Sequence, residues 1–172
     1  MHHTGFYRII APVMIMASKT NALRIVQQNK IPCREATYEY SEDDLSGVHA
    51  AQAIGMPVEQ VFKTLVARGE RTGIHVFCIP VHRELDLKKA AKAAGDKNME
   101  MVAVKELLAL TGYIRGGCSP IGMKKRYPTH IDDSARDFSE IGVSAGARGH
   151  QMILSPNAIA TLSAATFADL TK

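Results

Sequence analysis

Tryptophan is absent from the 172-residue sequence, and aromatic residues account for only 6% of it. Proteins that bind single-stranded nucleic acid without sequence preference stack bases on exposed aromatic rings, so such a stacking platform is not expected. An excess of one charge is also lacking, because 21 Lys and Arg against 17 Asp and Glu leave a formal net charge of 21 − 17 = +4. This charge is compatible with an anionic partner but does not identify one.

Cysteine is scarce, with only Cys33, Cys78 and Cys118 in the chain. The three residues form no CxxC pair, and their odd number provides no disulfide framework, which fits a reducing cytoplasm. Together with the seven histidines they show no spacing typical of a zinc site. We therefore expect a cytoplasmic protein without a metal or another cofactor.

Long apolar runs are lacking as well. The stretch GFYRIIAPVMIMA near the N-terminus is shorter than the roughly 20 apolar residues that span a bilayer, so we expect no membrane segment. A weak secretory signal is the alternative, because Arg8 precedes the apolar part. The segment MASKTNALRIV, which begins at Met16, is typical of the start of a soluble protein. We therefore expect residues 1–18 to be an N-terminal extension outside the fold.

Apolar periodicity and turn residues predict one α/β domain over residues 19–171, with a mixed rather than a doubly wound sheet. Thr20 or Asn21 caps the first predicted helix, Asp86 lies near the start of the third, and Gly55, Gly95 and Gly112 end three of them. Helices are predicted at 22–29, 48–54, 85–95, 105–112 and 156–162. Strands are predicted at 34–41, 61–68, 74–81, 100–104, 129–132, 140–144, 150–154 and 166–170.

The most distinctive segment for function is TGYIRGGCSPIGMKKR, residues 111–126, which combines four glycines with basic residues and no acid. Glycines let a ligand approach the main chain closely, and basic side chains hold phosphates. The alternative is a plain surface loop beside a solvated basic run. Cys118 in this loop is a candidate nucleophile, although a small buried cysteine is the commoner case.

Two further segments allow both a functional and a structural interpretation. In VFKTLV, residues 61–66, Lys63 interrupts a strand; it is either a cation directed into a pocket or an edge residue that blocks aggregation. In VSAGARGHQ, residues 143–151, small residues follow an apolar strand and form either a pocket wall or a simple hairpin turn. The sequence shows no Ser-His-Asp order.

These segments, in this order and spacing, resemble the YbaK/EbsC family of trans-editing aminoacyl-tRNA deacylases, which are related to the insertion domain of bacterial prolyl-tRNA synthetase. FKT followed by GGxSPxG carries most of the resemblance, which covers about residues 19–171 and is closest to the Cys-tRNA(Pro) deacylases. It implies a single domain with a barrel-like mixed sheet and flanking helices. It also implies hydrolysis of the ester that joins a wrong amino acid to proline tRNA.

The resemblance also assigns site residues. The family's lysine falls on Lys63, which is expected to stabilise charge at the ester, and the N–H groups of Gly116 and Gly117 are expected to face the same carbonyl. Two departures are Ala145, where relatives often have glycine, and Cys118, where an apolar residue is usual. The expected substrate-binding residues are Tyr38, Thr64, Ser119, Pro120, Ser144 and Gly146, and the expected tRNA phosphate contacts are Lys124, Lys125 and Arg126.

In this family the chemistry is substrate-assisted, so no protein nucleophile is required. The implied partners are the acceptor end of proline tRNA and, in a transient complex, prolyl-tRNA synthetase. Two alternatives stay open at this point. One is a deacylase for Ala- or Ser-charged tRNA, and the other is a noncatalytic module that binds tRNA or a nucleotide.

Overall fold

The computed structural model describes residues 8–10 and 19–172. Within them, the chain forms five α-helices and nine β-strands, with helices interspersed among the strands. The helices are α1 Asn21–Gln28, α2 Gly47–Ile54, α3 Leu87–Ala94, α4 Leu107–Thr111 and α5 Pro156–Ser163. The strands are β1 Arg8–Ile10, β2 Cys33–Thr37, β3 Phe62–Gly69, β4 Gly73–Pro80, β5 Met99–Met101, β6 Thr129–Asp132, β7 Ile141–Ala147, β8 His150–Leu154 and β9 Thr166–Ala168.

Local sequence sets the ends of the helices. The Thr20 side chain accepts a hydrogen bond from the backbone N–H of Leu23 and caps α1. Asp86 caps α3 in the same way, and Gly95 ends that helix in the left-handed conformation at φ 68°, which glycine adopts without steric cost. Within the described residues, no helix has the length and apolar character needed to cross a lipid bilayer.

The strands form two sheets. One has four strands in the order β1-β2-β8-β7, and the other has five in the order β5-β3-β4-β6-β9. The second sheet is mixed, because β4 and β6, and β6 and β9, run parallel while β3 and β4 form an antiparallel hairpin. A parallel bridge between Val61 and Gly142 joins the two sheets. The predicted α/β class with a mixed sheet is therefore confirmed.

The main core lies where the inner faces of the two sheets meet. Phe62, Cys78 and Ile131 from the five-stranded sheet share one buried cluster with Val143 and Met152 from the other. Helices α1 and α5 close this cluster through Leu23, Val26 and Ile159. Helix α3 packs on the opposite face of the five-stranded sheet, where its small Ala90 and Ala91 lie against Phe77 and Ile79.

Three elements differ clearly from the sequence-based expectation. The strand predicted at 100–104 is β5, Met99–Met101, and Val104 begins a short 3₁₀ helix instead. The strand predicted at 34–41 is β2, Cys33–Thr37, and it ends early because the chain turns towards the 41–46 segment. Arg8–Ile10, part of the segment expected to lie outside the fold, pairs antiparallel with β2 as an edge strand. The rest of residues 1–18 lies outside the described residues.

A strand edge is left open beside β3. Val81 N–H donates to Val61 O over 2.9 Å. In an antiparallel pair, alternate residues form the backbone hydrogen bonds to the partner strand. Thr64 is one of the intervening residues of β3, so its backbone N–H and C=O point away from β4. Strand β5 covers that outer edge only from Ala67 to Gly69, beside a bond from Val102 N–H to Val66 O. The backbone of Thr64 therefore faces open space.

Two histidines are buried together on the face of the sheet that carries α3. His75 Nδ1 and His130 Nε2 lie 3.0 Å apart, and both rings stack on Phe77. Burial holds the pKa of His130 at about 4, with His75 adding to the shift. Burial also lowers the pKa of His75, an effect that Asp96 opposes. Both rings are therefore neutral at pH 7.

Acid is expected to destabilise the fold through this pair. The folded pKa of His130 is about 4, below the value of about 6.5 in an unfolded chain. The stability from the neutral ring is therefore fully present above pH 6.5 and is lost as the pH falls towards 4. Urea titrations from pH 7.5 to 4.5 give the free energy of unfolding at each pH. As the pH falls, this free energy should decrease more steeply in the wild type than in His130→Gln, by the slope that corresponds to about one more proton bound on unfolding. Parallel pH profiles for the two proteins would contradict this assignment.

Candidate active site

A cavity of about 300 Å³ opens at the unpaired edge of β3. It is bounded by β3, the end of β2, the start of α2, the loop after α4 and the facing strands β7 and β8. Five of the predicted site residues line it and are thereby brought together from distant parts of the chain: Tyr38, Lys63, Thr64, Gly116 and Ser144.

Lys63 is half-buried in this cavity rather than displayed on an outer edge strand. It lies opposite Ile79 in the β3–β4 ladder, and Leu65, two residues on, packs into the cluster around α3. Burial lowers the pKa of Lys63, and the nearby carboxylate of Glu84 opposes that shift. These surroundings are compatible with the functional alternative, a cation that meets a ligand in the cavity.

Thr64 contributes through its main chain as well as its side chain. Its hydroxyl lies 3.8 Å from the thiol of buried Cys78, and its outward backbone N–H and C=O belong to the open edge described above. Pro80, which has no N–H, lies opposite Phe62 at a position where the ladder requires none. The cavity thus receives both a donor and an acceptor from the main chain at residue 64.

The glycine loop is held from behind by buried hydrogen bonds. Tyr113 Oη donates to Ile121 O over 2.7 Å, and Thr111 accepts from the backbone N–H of Tyr113. On the outer side, Arg148 Nε in the β7–β8 turn donates to Arg115 O over 2.9 Å. The first two bonds lie within the loop, and the third connects it with a segment 33 residues further along the chain.

The two adjacent glycines of the loop have different tasks. Gly116 lines the cavity at φ +84°, a conformation that favours glycine. The N–H of Gly117 donates to Ile114 O over 2.9 Å within the loop's own turn. This N–H is therefore engaged within the loop, and the absence of a side chain at Gly117 leaves room for the backbone of Arg148.

The wall formed by β7 includes Ser144, whose Oγ accepts from the N–H of Gly146 over 3.1 Å. This bond leaves the Ser144 hydroxyl hydrogen available to a ligand. Gly146 itself, at φ +98°, does not line the cavity; a Cβ there would lie 2.8 Å from the ring of Tyr113. Ala145 is fully buried and points away from the cavity, so its difference from the family pattern does not alter the wall.

Several predicted residues lie outside the cavity lining. Ser119 is fully buried behind the loop, where its Oγ accepts from Ile121 N–H. Pro120, Lys125 and Arg126 line a separate, smaller hollow. Lys124, with Lys125 and Arg126, is exposed. The structure thus keeps this basic run at the surface, apart from the cavity.

Three polar residues that line the cavity were not among the predicted site residues: Ser46, Arg115 and Gln151. Arg115 follows from the basic character of the loop, but no signal in the sequence distinguishes Gln151 from the other polar strand residues. Cys118 also lines the cavity, and burial raises the pKa of its thiol to about 11. The thiol is therefore protonated at pH 7, which argues against a nucleophilic role.

The charged side chains that line the cavity are all positive. Among the described residues that line it, Lys63 and Arg115 are cationic and none is an aspartate, glutamate or histidine. Such a site stabilises developing negative charge on an oxygen. The described lining residues include no carboxylate or imidazole that could act as a general base.

The fit of the glycine loop against the β7–β8 turn is testable by adding one methyl group. A Cβ at Gly117 would lie 3.0 Å from Arg148 N and 3.1 Å from Ala147 C. Because these are backbone atoms, Gly117→Ala should reduce the free energy of unfolding by about 1–3 kcal/mol, the usual range for overpacking, measured by urea denaturation.

Gly142→Ala is the matched control. Its Cβ would lie 3.4 Å from Val61 Cγ2 and 3.6 Å from Met56 Sδ, which are ordinary contacts. Equal stability of the two variants would show that the loop and the turn are not in close contact.

Known proteins are similar to this chain in sequence and in fold. The model of the aminoacyl-tRNA editing domain family matches residues 45–162. An Enterococcus faecalis protein, EbsC, named as a candidate Cys-tRNA(Pro)/Cys-tRNA(Cys) deacylase, is 52% identical over 153 residues, 89% of this chain and 93% of its own. A proline–tRNA ligase of Shouchella clausii is 28% identical over 104 residues, which are 60% of this chain and 18% of the ligase.

A solved structure agrees with these relatives. The crystal structure of a candidate trans-editing enzyme for prolyl tRNA synthetase superposes with a TM-score of 0.74 at 26% sequence identity. The alignment covers 90% of this chain and 99% of the other.

Proposed function

The chain belongs to the aminoacyl-tRNA editing domain family, as the sequence resemblance predicted, and we propose that it hydrolyses the ester that joins cysteine to proline tRNA. The observation that carries this proposal is the cavity itself. It combines a half-buried lysine, a glycine loop and an open strand edge with no acidic or histidine side chain among its described lining residues. This arrangement suits a substrate that supplies its own nucleophile.

In the proposed reaction the protein positions the ester and stabilises its oxyanion. The cysteine thiol attacks the ester carbonyl carbon, the bond to the ribose oxygen breaks, and the ribose oxygen takes up the thiol proton. The resulting four-membered thiolactone is then opened by water. Lys63 stabilises the negative charge on the carbonyl oxygen while the carbon is tetrahedral. Holding thiol and carbonyl together contributes through proximity, which supplies about 7–11 kcal/mol in well-oriented intramolecular reactions.

A separate editing enzyme makes physical sense for this substrate. A synthetase pocket distinguishes ligands that differ by one methylene by only about 1–3 kcal/mol, so near-isosteres of proline such as cysteine are charged by error. Selection for proline tRNA then comes from a transient complex with prolyl-tRNA synthetase, because a net charge of +4 offers little independent tRNA affinity. The protein would act in the cytoplasm, where aminoacyl-tRNA is made and its three free cysteines remain reduced.

The direct test is parallel deacylation of Cys-, Ala- and Ser-charged proline tRNA and of Cys-tRNA(Cys), with and without prolyl-tRNA synthetase. The proposal requires cysteine to be removed fastest, with a preference for proline tRNA that appears only when synthetase is present. Faster removal of alanine or serine would identify a different editing substrate. Binding of tRNA without any ester hydrolysis would identify a noncatalytic module.

Lys63 provides the sharpest catalytic prediction. Lys63→Ala should lower single-turnover deacylation of Cys-tRNA(Pro) by on the order of 10²-fold or more, the effect of removing one oxyanion donor. Lys88→Ala removes an exposed lysine of α3 and should leave the rate unchanged. A folded Lys63→Ala protein, verified by circular dichroism, that retained the parental rate would exclude the oxyanion role.

The exposed basic run is proposed to bind acceptor-stem phosphates. Lys125→Gln should weaken tRNA binding and reduce the slope of log K against log salt by about 1, as expected for one lost phosphate contact. The single-turnover rate at saturating tRNA should not change. Arg71→Gln, on the distant β3–β4 turn, is the control, and an unchanged salt slope in Lys125→Gln would place the tRNA elsewhere.

A further inference from the structure

Gln151 is buried in the wall of the cavity and has no role in the reaction described so far. It lies in β8, directly opposite Ser144 of β7 and Ala36 of β2. Residues directly opposite in antiparallel strands point to the same face, so its side chain accompanies that of Ser144. The residue is only 6% exposed, yet it lines the cavity.

The amide oxygen of Gln151 lacks a hydrogen-bond partner. Among the side chains that the structure describes, Gln151 Oε1 is the one buried nitrogen or oxygen atom without such a partner. Buried polar atoms are almost always paired, and an exception calls for an explanation. Because this atom belongs to a cavity-lining residue, a hydrogen-bond donor on a bound ligand is the explanation that the geometry offers.

The chemistry of the cavity indicates which ligand group this oxygen accepts. Lys63 and Arg115 are donors and suit the ester and ribose oxygens. An aminoacyl ester also carries an α-ammonium group, and the described lining residues include no carboxylate to receive it. A neutral acceptor has an advantage here, since a carboxylate would form an ion pair with Lys63 and reduce the positive charge available to the oxyanion.

We propose that Gln151 Oε1 binds the α-ammonium group of the aminoacyl ester and thereby positions the ester carbonyl beside Lys63. Gln151 is thus a positioning and specificity residue that selects α-amino acids over other acyl groups. This inference rests on the proposed function for the identity of the ligand.

The experiment measures binding and catalysis separately. The binding probes are two non-hydrolysable adenosines with an amide at the 3′ position, one carrying cysteine and the other 3-mercaptopropionate, which lacks only the amino group. The reaction substrates are the corresponding cysteinyl and 3-mercaptopropionyl esters of proline tRNA. Dissociation constants come from calorimetry, and kcat/KM comes from deacylation assays.

The expected result is a change in the preference for the cysteinyl over the 3-mercaptopropionyl group, measured as the ratio of dissociation constants and as the ratio of kcat/KM. Wild type should prefer the amino form at least tenfold in both assays, the effect of one hydrogen bond to a charged group. Gln151→Met, similar in size but without an acceptor oxygen, should abolish this preference. Gln151→Glu, which keeps an acceptor oxygen, should retain it. Gln52→Met makes the same substitution at an exposed site on α2 and should change nothing.

Two outcomes would overturn the inference. In the first, Gln151→Met reduces affinity and kcat/KM equally for both acyl groups, which indicates a structural role. In the second, the wild type shows no preference for the amino form. Failure of the proposed function appears differently. If wild type binds the cysteinyl probe with the Gln151-dependent preference but hydrolyses no Cys-tRNA(Pro), the ammonium site stands and the reaction assignment falls.

Discussion

The open edge of β3 is the constraint on which the rest of the site depends. Strand β5 pairs only with Ala67–Gly69, so the backbone at Thr64 lacks a neighbouring strand. An unpaired edge in a sheet ordinarily invites association with another chain. Here the start of α2, the glycine loop and the β7–β8 wall surround it and convert it into a cavity of about 300 Å³. Lys63 is half-buried there and lines this cavity.

The second constraint is the support of the glycine loop. Arg148 reaches it from the β7–β8 turn through the carbonyl of Arg115, and Tyr113 anchors its interior through Ile121. Gly117 and Gly146 permit these close approaches, since a methyl group at either position would contact Arg148 or Tyr113. Most glycines of the motif therefore serve packing, and Gly116 is the one that reaches the cavity. A motif can identify a site although few of its residues touch the ligand.

Helix ends were predictable because their causes are local. The caps at Thr20 and Asp86 and the left-handed Gly95 act within one turn of the chain. Lys63 was noticeable, because a charged residue within an apolar strand is unusual, but its assignment to the site came from the family resemblance. Gln151 was not identifiable: a polar residue in a strand is ordinary, and its importance arises from an amide oxygen left unpaired after three strands come together.

The sequence by itself determined most element types and helix boundaries, because these follow from periodicity and caps along the chain, and its motifs carried the resemblance that pointed to the family and to Lys63. Tertiary structure decided which predicted residues meet. It brought Tyr38, Lys63 and Ser144 into one cavity, placed Ser119 behind the loop, and kept Lys124–Arg126 at the surface. The physical reason is that burial and hydrogen-bond pairing depend on contacts between segments far apart in sequence, such as Gly117 with Arg148.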